Sequence, residues 1–203
     1  MSQNASIVVL VSGRGTNLQA LIEASISGRI RSQIRAVISN KVDAIALERA
    51  KTAGIPTQVI PSRGVPRADF EAALSLALDT LKPDFIVLAG FMLILPPEII
   101  ATWKDKIINI HPSLLPSFPG LHAQKQALAY GVKVTGCTAH LVDAGCDTGP
   151  VLVQKTLPIF DDDTEETLSA RLLPLEHEAL INAIALLENQ KILVRDRRTL
   201  LVK

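Results

Sequence analysis

The chain has 203 residues, 48% of them hydrophobic and 20% charged, with a formal net charge of +1. This composition suits one large globular domain, and the near-zero charge offers no global field to nucleic acid or an anionic membrane. Any anion site must therefore be local. The cysteines, Cys137 and Cys146, form neither a metal spacing nor a disulfide framework and read as reduced thiols of a cytoplasmic protein. The amino-terminal residues lack the basic and long apolar regions of a signal peptide. The apolar runs are strand-sized, well short of the roughly 18 residues of a membrane span.

The first predicted element is a strand over Ser6 to Val11, a continuous apolar run suited to burial on both faces. Ser12-Gly13-Arg14-Gly15-Thr16-Asn17 follows, and then a helix with Leu18, Leu21 and Ile22 on one face. A strand, a glycine turn and a helix leave free backbone N–H groups at a helix N-terminus, which attracts phosphate. The turn is neither a full G-x-G-x-x-G nor a Walker A loop. A second strand is expected over Ile34 to Ser39, a helix over Ala44 to Ala53 closed by Gly54, and a short strand over Thr57 to Ile60. Phe70, Ala73, Leu74, Ala77, Leu78 and Leu81 keep the helical period, with Pro66 in the first turn. Arg67 stands at the start of that helix, where a cation is mildly unfavourable. It is either a solvated side chain or one kept for a partner.

Phe85 to Ala89 is a fourth apolar strand. The run Gly90 to Leu95 is too apolar for an exposed loop and is expected in the core or in the wall of an apolar pocket. Pro97 to Trp103 reads as a short helix. Ile107 to His111 then forms a buried strand with Asn109 and His111 on the same side, since side chains two apart face the same way. Prolines 112, 116 and 119 follow and are expected to keep that end open and stiff. To this point strands and helices alternate, which argues for a parallel sheet with helices on both faces. In such sheets ligands bind beyond the carboxyl ends of the strands. The glycine turn, the Phe91–Leu95 run and the Asn109/His111 pair all fall there.

Leu121 to Tyr130 reads as a helix, Thr135 to Val142 as a strand containing His140, and Val151 to Leu157 as its partner. Between the two strands lies a turn with Asp143 and Asp147. Aspartate starts turns, and an ionised carboxylate beside an imidazole also raises the imidazole's pKa. The acidic run from Asp161 to Glu166 reads as a helix start, with Asp163 as N-cap and Glu166 in the capping-box position. That helix reaches about Asn189, with a kink expected at Pro174. Ile192 to Val202 closes the chain as a hairpin exposing Arg195, Arg197 and Arg198.

No serine sits in a nucleophile elbow, and the four histidines make no zinc-binding helical pair. Asn109, His111 and Asp147 remain, a set without a nucleophile of its own. It suits direct attack by a substrate amine on a carbonyl, an amide N–H steadying the oxyanion while imidazole and carboxylate manage protons. The turn suggests a phosphorylated substrate and the apolar run a flat apolar one. The rival from another class is a non-catalytic nucleotide-binding module.

The chain resembles the phosphoribosylglycinamide formyltransferase family over essentially its whole length. The resemblance rests on Val11-Ser12-Gly13-Arg14-Gly15-Thr16-Asn17-Leu18-Gln19-Ala20, on Leu88-Ala89-Gly90-Phe91-Met92-Leu93-Ile94-Leu95, on Asn109-Ile110-His111-Pro112-Ser113-Leu114-Leu115-Pro116 and on Asp147-Thr148-Gly149-Pro150. It implies a single Rossmann-like domain over 1–203, with a phosphate-binding half over 1–105 and a catalytic and folate-binding half over 106–203. It implies formyl transfer from 10-formyltetrahydrofolate, as co-substrate and without a metal, to the amine of 5-phosphoribosylglycinamide. Asn109 would hold the formyl oxygen and His111 would donate a proton, while Asp147 would raise the histidine's pKa. Gly15, Thr16 and Asn17 would bind phosphate and Glu176 the ribose. Arg67, Met92, Leu93, Ile94, Leu95 and Asn109 would face the folate. Leu93 and Leu173 stand where the family often has arginine and glutamine. The resemblance extends to methionyl-tRNA formyltransferase and formyltetrahydrofolate hydrolase. The first usually carries a further C-terminal domain and a basic surface, the second an N-terminal domain. The expected partners are small molecules, with no nucleic acid and no membrane, for a monomer or homodimer.

Overall fold

A computed structural model describes residues 4–189 and 191–202. Three residues of the amino-terminal stretch inspected for a signal peptide, 1–3, lie outside that range. The elements in chain order are β1 Ser6–Val11, α1 Thr16–Ile26, β2 Gln33–Ser39, α2 Ile45–Thr52, β3 Thr57–Val59, α3 Arg67–Leu81, β4 Phe85–Leu88, α4 Pro97–Thr102 and β5 Ile107–His111. They continue as α5 Ala123–Tyr130, β6 Val134–Leu141, β7 Val151–Pro158, α6 Glu165–Asn189, β8 Lys191–Arg195 and β9 Arg198–Val202. Seven strands form one sheet in the order β3-β2-β1-β4-β5-β6-β7, and β8 pairs with β9. The pairs β1–β2, β1–β4 and β2–β3 are parallel, while β6–β7 and β8–β9 are antiparallel. This is the mostly parallel α/β architecture, with a long C-terminal helix, that the alternating pattern predicts.

The chain divides into two compact units, Met1–Ile108 and Asn109–Lys203, with the boundary inside β5. In the first unit β1 is the central strand, and Ile7 to Val11 are wholly buried. Continuous β-branched residues are what a strand covered on both faces requires. Leu18 and Leu21 of α1 and Leu74 and Leu78 of α3 are also fully buried, as the helical period predicts. Ala73, one of the predicted apolar positions, faces solvent. In the second unit β6 is buried from Thr135 to Leu141, and α6 buries Leu168, Leu172, Ala179, Leu180, Ile181, Ala183 and Ile184.

One detail at α6 departs from the expectation. The helix starts at Glu165, so its N-cap is Thr164 rather than Asp163. Thr164 and Thr167 cap it reciprocally: the Thr167 N–H donates to Thr164 Oγ1 and the Thr164 N–H to Thr167 Oγ1, at 3.2 and 2.9 Å. The Asp163 carboxylate is taken up elsewhere, by the Phe160 N–H at 2.8 Å and the Arg171 guanidinium. The helix runs on through Pro174 to Asn189, the extent expected. α5 starts two residues later than predicted, at Ala123, after His122 in the left-handed region (φ 58°).

Candidate active site

Asn109 and His111 come from β5, His140 from the end of β6, and Asp147 from the turn between β6 and β7. The second unit brings all four side chains together. His111 Nδ1 lies 3.2 Å from Asp147 Oδ2. Asn109 Nδ2 lies 3.4 Å from Asp147 Oδ1 and 3.3 Å from His140 Nε2. His140 Nε2 is 3.7 Å from Asp147 Oδ1. His140 carried no role in the sequence reading. Its signal was an imidazole in an apolar strand two positions from Thr138, and here it is 2% exposed.

Main-chain groups set the orientation of this cluster. His111 Nε2 is 2.9 Å from the Phe118 carbonyl oxygen, which can only accept, so Nε2 carries a proton. His140 Nδ1 likewise donates to the Leu141 carbonyl at 2.9 Å, which leaves its Nε2 to accept from Asn109. The Gly120 N–H donates to Asp147 Oδ2 at 2.8 Å. Asn109 thus turns its Nδ2 toward two acceptors, which fixes the amide's direction. At 3.3 and 3.4 Å both contacts are long, so one N–H is readily exchanged for a stronger acceptor.

The electrostatics divide the two partners. Burial would raise the Asp147 carboxyl. The nearby His140 imidazole, the Gly120 N–H and the His111 imidazole outweigh it and hold the pKa at about 2. Asp147 is therefore ionised at neutral pH. His111 goes the other way from expectation. Burial lowers its pKa, and this exceeds the upward pulls of the Phe118 carbonyl and Asp147. His140 adds a smaller downward push. The carboxylate raises the histidine as the sequence suggested, but not enough to offset loss of water around a ring only 4% exposed. Both His111 nitrogens nonetheless face acceptors, so a proton gained there finds a partner on each side.

Hydrogen bonds tie the loop after His111 to β6 and β7. Thr138 Oγ1 donates to the Ser113 carbonyl at 2.7 Å and accepts the Leu115 N–H at 3.1 Å, and Gln154 donates to the Leu115 carbonyl at 3.0 Å. The turn carrying Asp147 is built as tightly. Asp143 accepts from the Gly145 N–H at 3.1 Å and from Thr148 Oγ1 at 2.6 Å, the turn-starting role expected of it. A Cβ on Gly149 would run into the Leu141 carbonyl oxygen. Gly149→Ala is expected to destabilise the protein by about 1–3 kcal/mol and to lower activity by displacing Asp147. A melting curve and an initial-rate assay check this, and a variant with unchanged stability and rate would refute it.

In the first unit, the glycine turn follows β1 as predicted. Gly15 is the N-cap of α1 with φ 72°, and a Cβ there would lie 2.6 Å from that of Ala46. Only glycine fits such a position. Thr16 is half-buried and Asn17 buried. The Ala46 N–H donates to the Gly13 carbonyl at 3.0 Å, and Arg49 Nε to the Arg14 carbonyl at 2.9 Å. Arg49, not anticipated from sequence, braces the turn.

The Met92–Leu95 segment corrects the sequence reading. Leu95 is buried, but Met92 and Ile94 are 63% and 75% exposed, and Leu93 is half-buried. Alternate apolar side chains of this loop point outward, which rules out the core alternative for Met92 and Ile94. Arg67 is exposed and ion-paired with Glu71 one turn on, at 2.6 Å, and this carboxylate raises its pKa. Glu176 sits half-buried on α6, where its charge adds to burial in pushing the Cys137 thiol up to about 12. Among the described residues no group of three His, Cys, Asp or Glu side chains could hold a metal ion. No helix among them is long and apolar enough to cross a membrane.

Residues 5–184 match the family model described as Formyl transferase, so the chain belongs to the formyl transferase family. Within that family, phosphoribosylglycinamide formyltransferase of Escherichia coli (strain K12) is 45% identical over 173 residues, covering 85% of this chain and 82% of that protein. The trifunctional purine biosynthetic protein adenosine-3 of Drosophila pseudoobscura pseudoobscura is 50% identical over 185 residues. The alignment covers 89% of this chain but only 14% of that longer protein. Among solved structures, glycinamide ribonucleotide transformylase 1 from Symbiobacterium toebii superimposes with a TM-score of 0.96 at 41% identity, covering 100% of this chain and 96% of that one. A formyltetrahydrofolate deformylase from Pseudomonas syringae pv. tomato str. DC3000 gives a TM-score of 0.93 at 28% identity, covering 100% and 67%.

Proposed function

We propose that the protein transfers the formyl group of 10-formyltetrahydrofolate to the amine of 5-phosphoribosylglycinamide, a step of purine biosynthesis. The observation that carries this reading is the cluster of Asn109, His111 and Asp147, His111 buried and the other two half-buried, in a formyl transferase chain. The amine attacks the formyl carbon directly. A new C–N bond forms, and the carbonyl π pair moves onto oxygen. One Asn109 N–H leaves its long contact and holds that oxyanion. His111, neutral at rest because burial lowers its pKa, takes the proton the amine loses and returns it to the departing folate nitrogen. Asp147 and the Phe118 carbonyl stabilise the transient imidazolium. The resting proton sits on Nε2, so Nε2 takes a proton from substrate only once the Phe118 contact has opened and that proton has moved to Nδ1, toward Asp147.

For binding, Gly15, Thr16 and Asn17 take the phosphate at a helix N-terminus, and Glu176 takes the ribose. Met92 to Leu95 supply the apolar surface and backbone groups for the pterin. Arg67, already at a surface ion pair, takes the folate's carboxylate tail. The test mixes the purified protein with both substrates and follows folate deformylation. Deformylation that requires the ribonucleotide and yields its formylated amide is the expected result. A rate independent of the ribonucleotide would make the protein a hydrolase, and phosphate binding without turnover would make it a nucleotide-binding module.

A further inference from the structure

Four residues beyond the carboxyl ends of β1, β2, β3 and β4 are joined by a hydrogen-bond chain whose middle link, Ser12 to Asn40, is buried. The Met92 N–H donates to Ser12 Oγ at 2.9 Å, Ser12 Oγ donates to Asn40 Oδ1 at 2.6 Å, and Asn40 Nδ2 donates to Ser62 Oγ at 2.9 Å. Ser12 is 3% exposed and Asn40 5%. The direction of the first two links follows from chemistry. A backbone N–H can only donate, so Ser12 accepts there and its own hydrogen goes to the amide oxygen. The Asn40 amide is then oriented with its nitrogen toward Ser62.

Ser12 stands one residue before the glycine turn, and Met92 opens the exposed apolar segment. Met92 has little packing to hold it, since its side chain and that of Ile94 are in solvent. Its backbone position is set instead by a hydroxyl from the strand that leads into the turn. The turn has anchors of its own that do not use this hydroxyl: the Gly13 carbonyl on the Ala46 N–H, the Arg14 carbonyl on Arg49, and Gly15 against Ala46. Removing the Ser12 hydroxyl therefore frees Met92 and leaves the turn in place.

We propose that Ser12 and Asn40 are positioning residues for the folate, fixing the Met92–Leu95 backbone through the Ser12 hydroxyl, with Ser62 as the outer support. This rests on the reading of that segment as the folate-facing one. The experiment measures binding of tetrahydrofolate and, separately, of 5-phosphoribosylglycinamide by calorimetry, in the wild type and in Ser12→Ala, Asn40→Ala and Ser62→Ala. A buried donor left without its acceptor corresponds to about a tenfold effect. Ser12→Ala and Asn40→Ala are expected to weaken tetrahydrofolate about tenfold, with Ser62→Ala smaller and ribonucleotide affinity within about twofold of wild type. Ser12→Thr, which keeps the hydroxyl, is expected to restore folate affinity, which a general loss of stability would not allow. Unchanged tetrahydrofolate affinity in folded Ser12→Ala or Asn40→Ala overturns the proposal, as does an equal loss for both ligands. A wild type that binds the ribonucleotide but no tetrahydrofolate overturns the functional reading itself.

Discussion

His111→Ala is expected to lower the formyl transfer rate by a factor on the order of 10²–10⁴, with Asn109→Ala at 10²–10³. These factors correspond to about 3–5 kcal/mol of transition-state stabilisation. His111 is nearly closed from water and faces the Phe118 carbonyl and the Asp147 carboxylate, so in the proposed mechanism its removal deletes the proton carrier. In the proposed mechanism Asn109 supplies the N–H for the oxyanion, and alanine supplies none. The two act on one transition state, so the double variant is expected to be little worse than His111→Ala alone. Steady-state kinetics with both substrates, beside melting curves, checks each statement. Transfer near the wild-type rate in either folded single variant refutes the mechanism.

Asp147→Asn is expected to slow transfer on the order of 10² and to change the pH dependence in two ways. Asparagine is the right replacement, because Asp147 has φ 53° and Asn tolerates that region where alanine is strained. First, Asp147 raises the His111 pKa against burial, so its loss lowers that pKa further and moves the acid limb of the pH–rate profile to lower pH. Second, a carboxyl held at about 2 in the fold, against an ordinary 3.8, stabilises the protein above the higher value. That contribution is lost as pH falls through the lower one. The stability difference between wild type and variant should therefore narrow from about pH 4 to pH 2. Superimposable pH–rate profiles would reduce Asp147 to a turn residue.

Much of this was legible before any coordinates. The uninterrupted run at Ser6–Val11 has one stable fate, a strand covered on both faces. The two-residue period put Asn109 and His111 on one side of β5. Asp147 read equally as a turn residue and as a carboxylate beside an imidazole, because its partner stands 36 residues earlier and only the fold shows that the two meet. The histidine's pKa could not be read, since its direction depends on how completely the ring is buried. Asp163 and Thr164 are both good caps, and the choice between them turned on Arg171, one helix turn beyond the predicted box. Met92 and Ile94 overturn the core alternative for their segment, while the wall of an open apolar pocket is compatible with exposed apolar side chains. The fold does not separate the transferase from the deformylase, whose structure matches almost as well. The distinction has to come from the ribonucleotide.

The partners that orient His111, His140 and Asp147 are main-chain atoms of Phe118, Leu141 and Gly120. Side-chain changes at 118 and 141 leave a carbonyl where it was, so these positions can drift while the contact persists. Length is another matter. One residue inserted or deleted between Pro112 and Gly120 would shift both the carbonyl and the N–H out of register with β5, although every catalytic residue kept its identity. Relatives that share the Asn-x-His motif but differ in the length of this loop would then share the letters of the site without its hydrogen bonds.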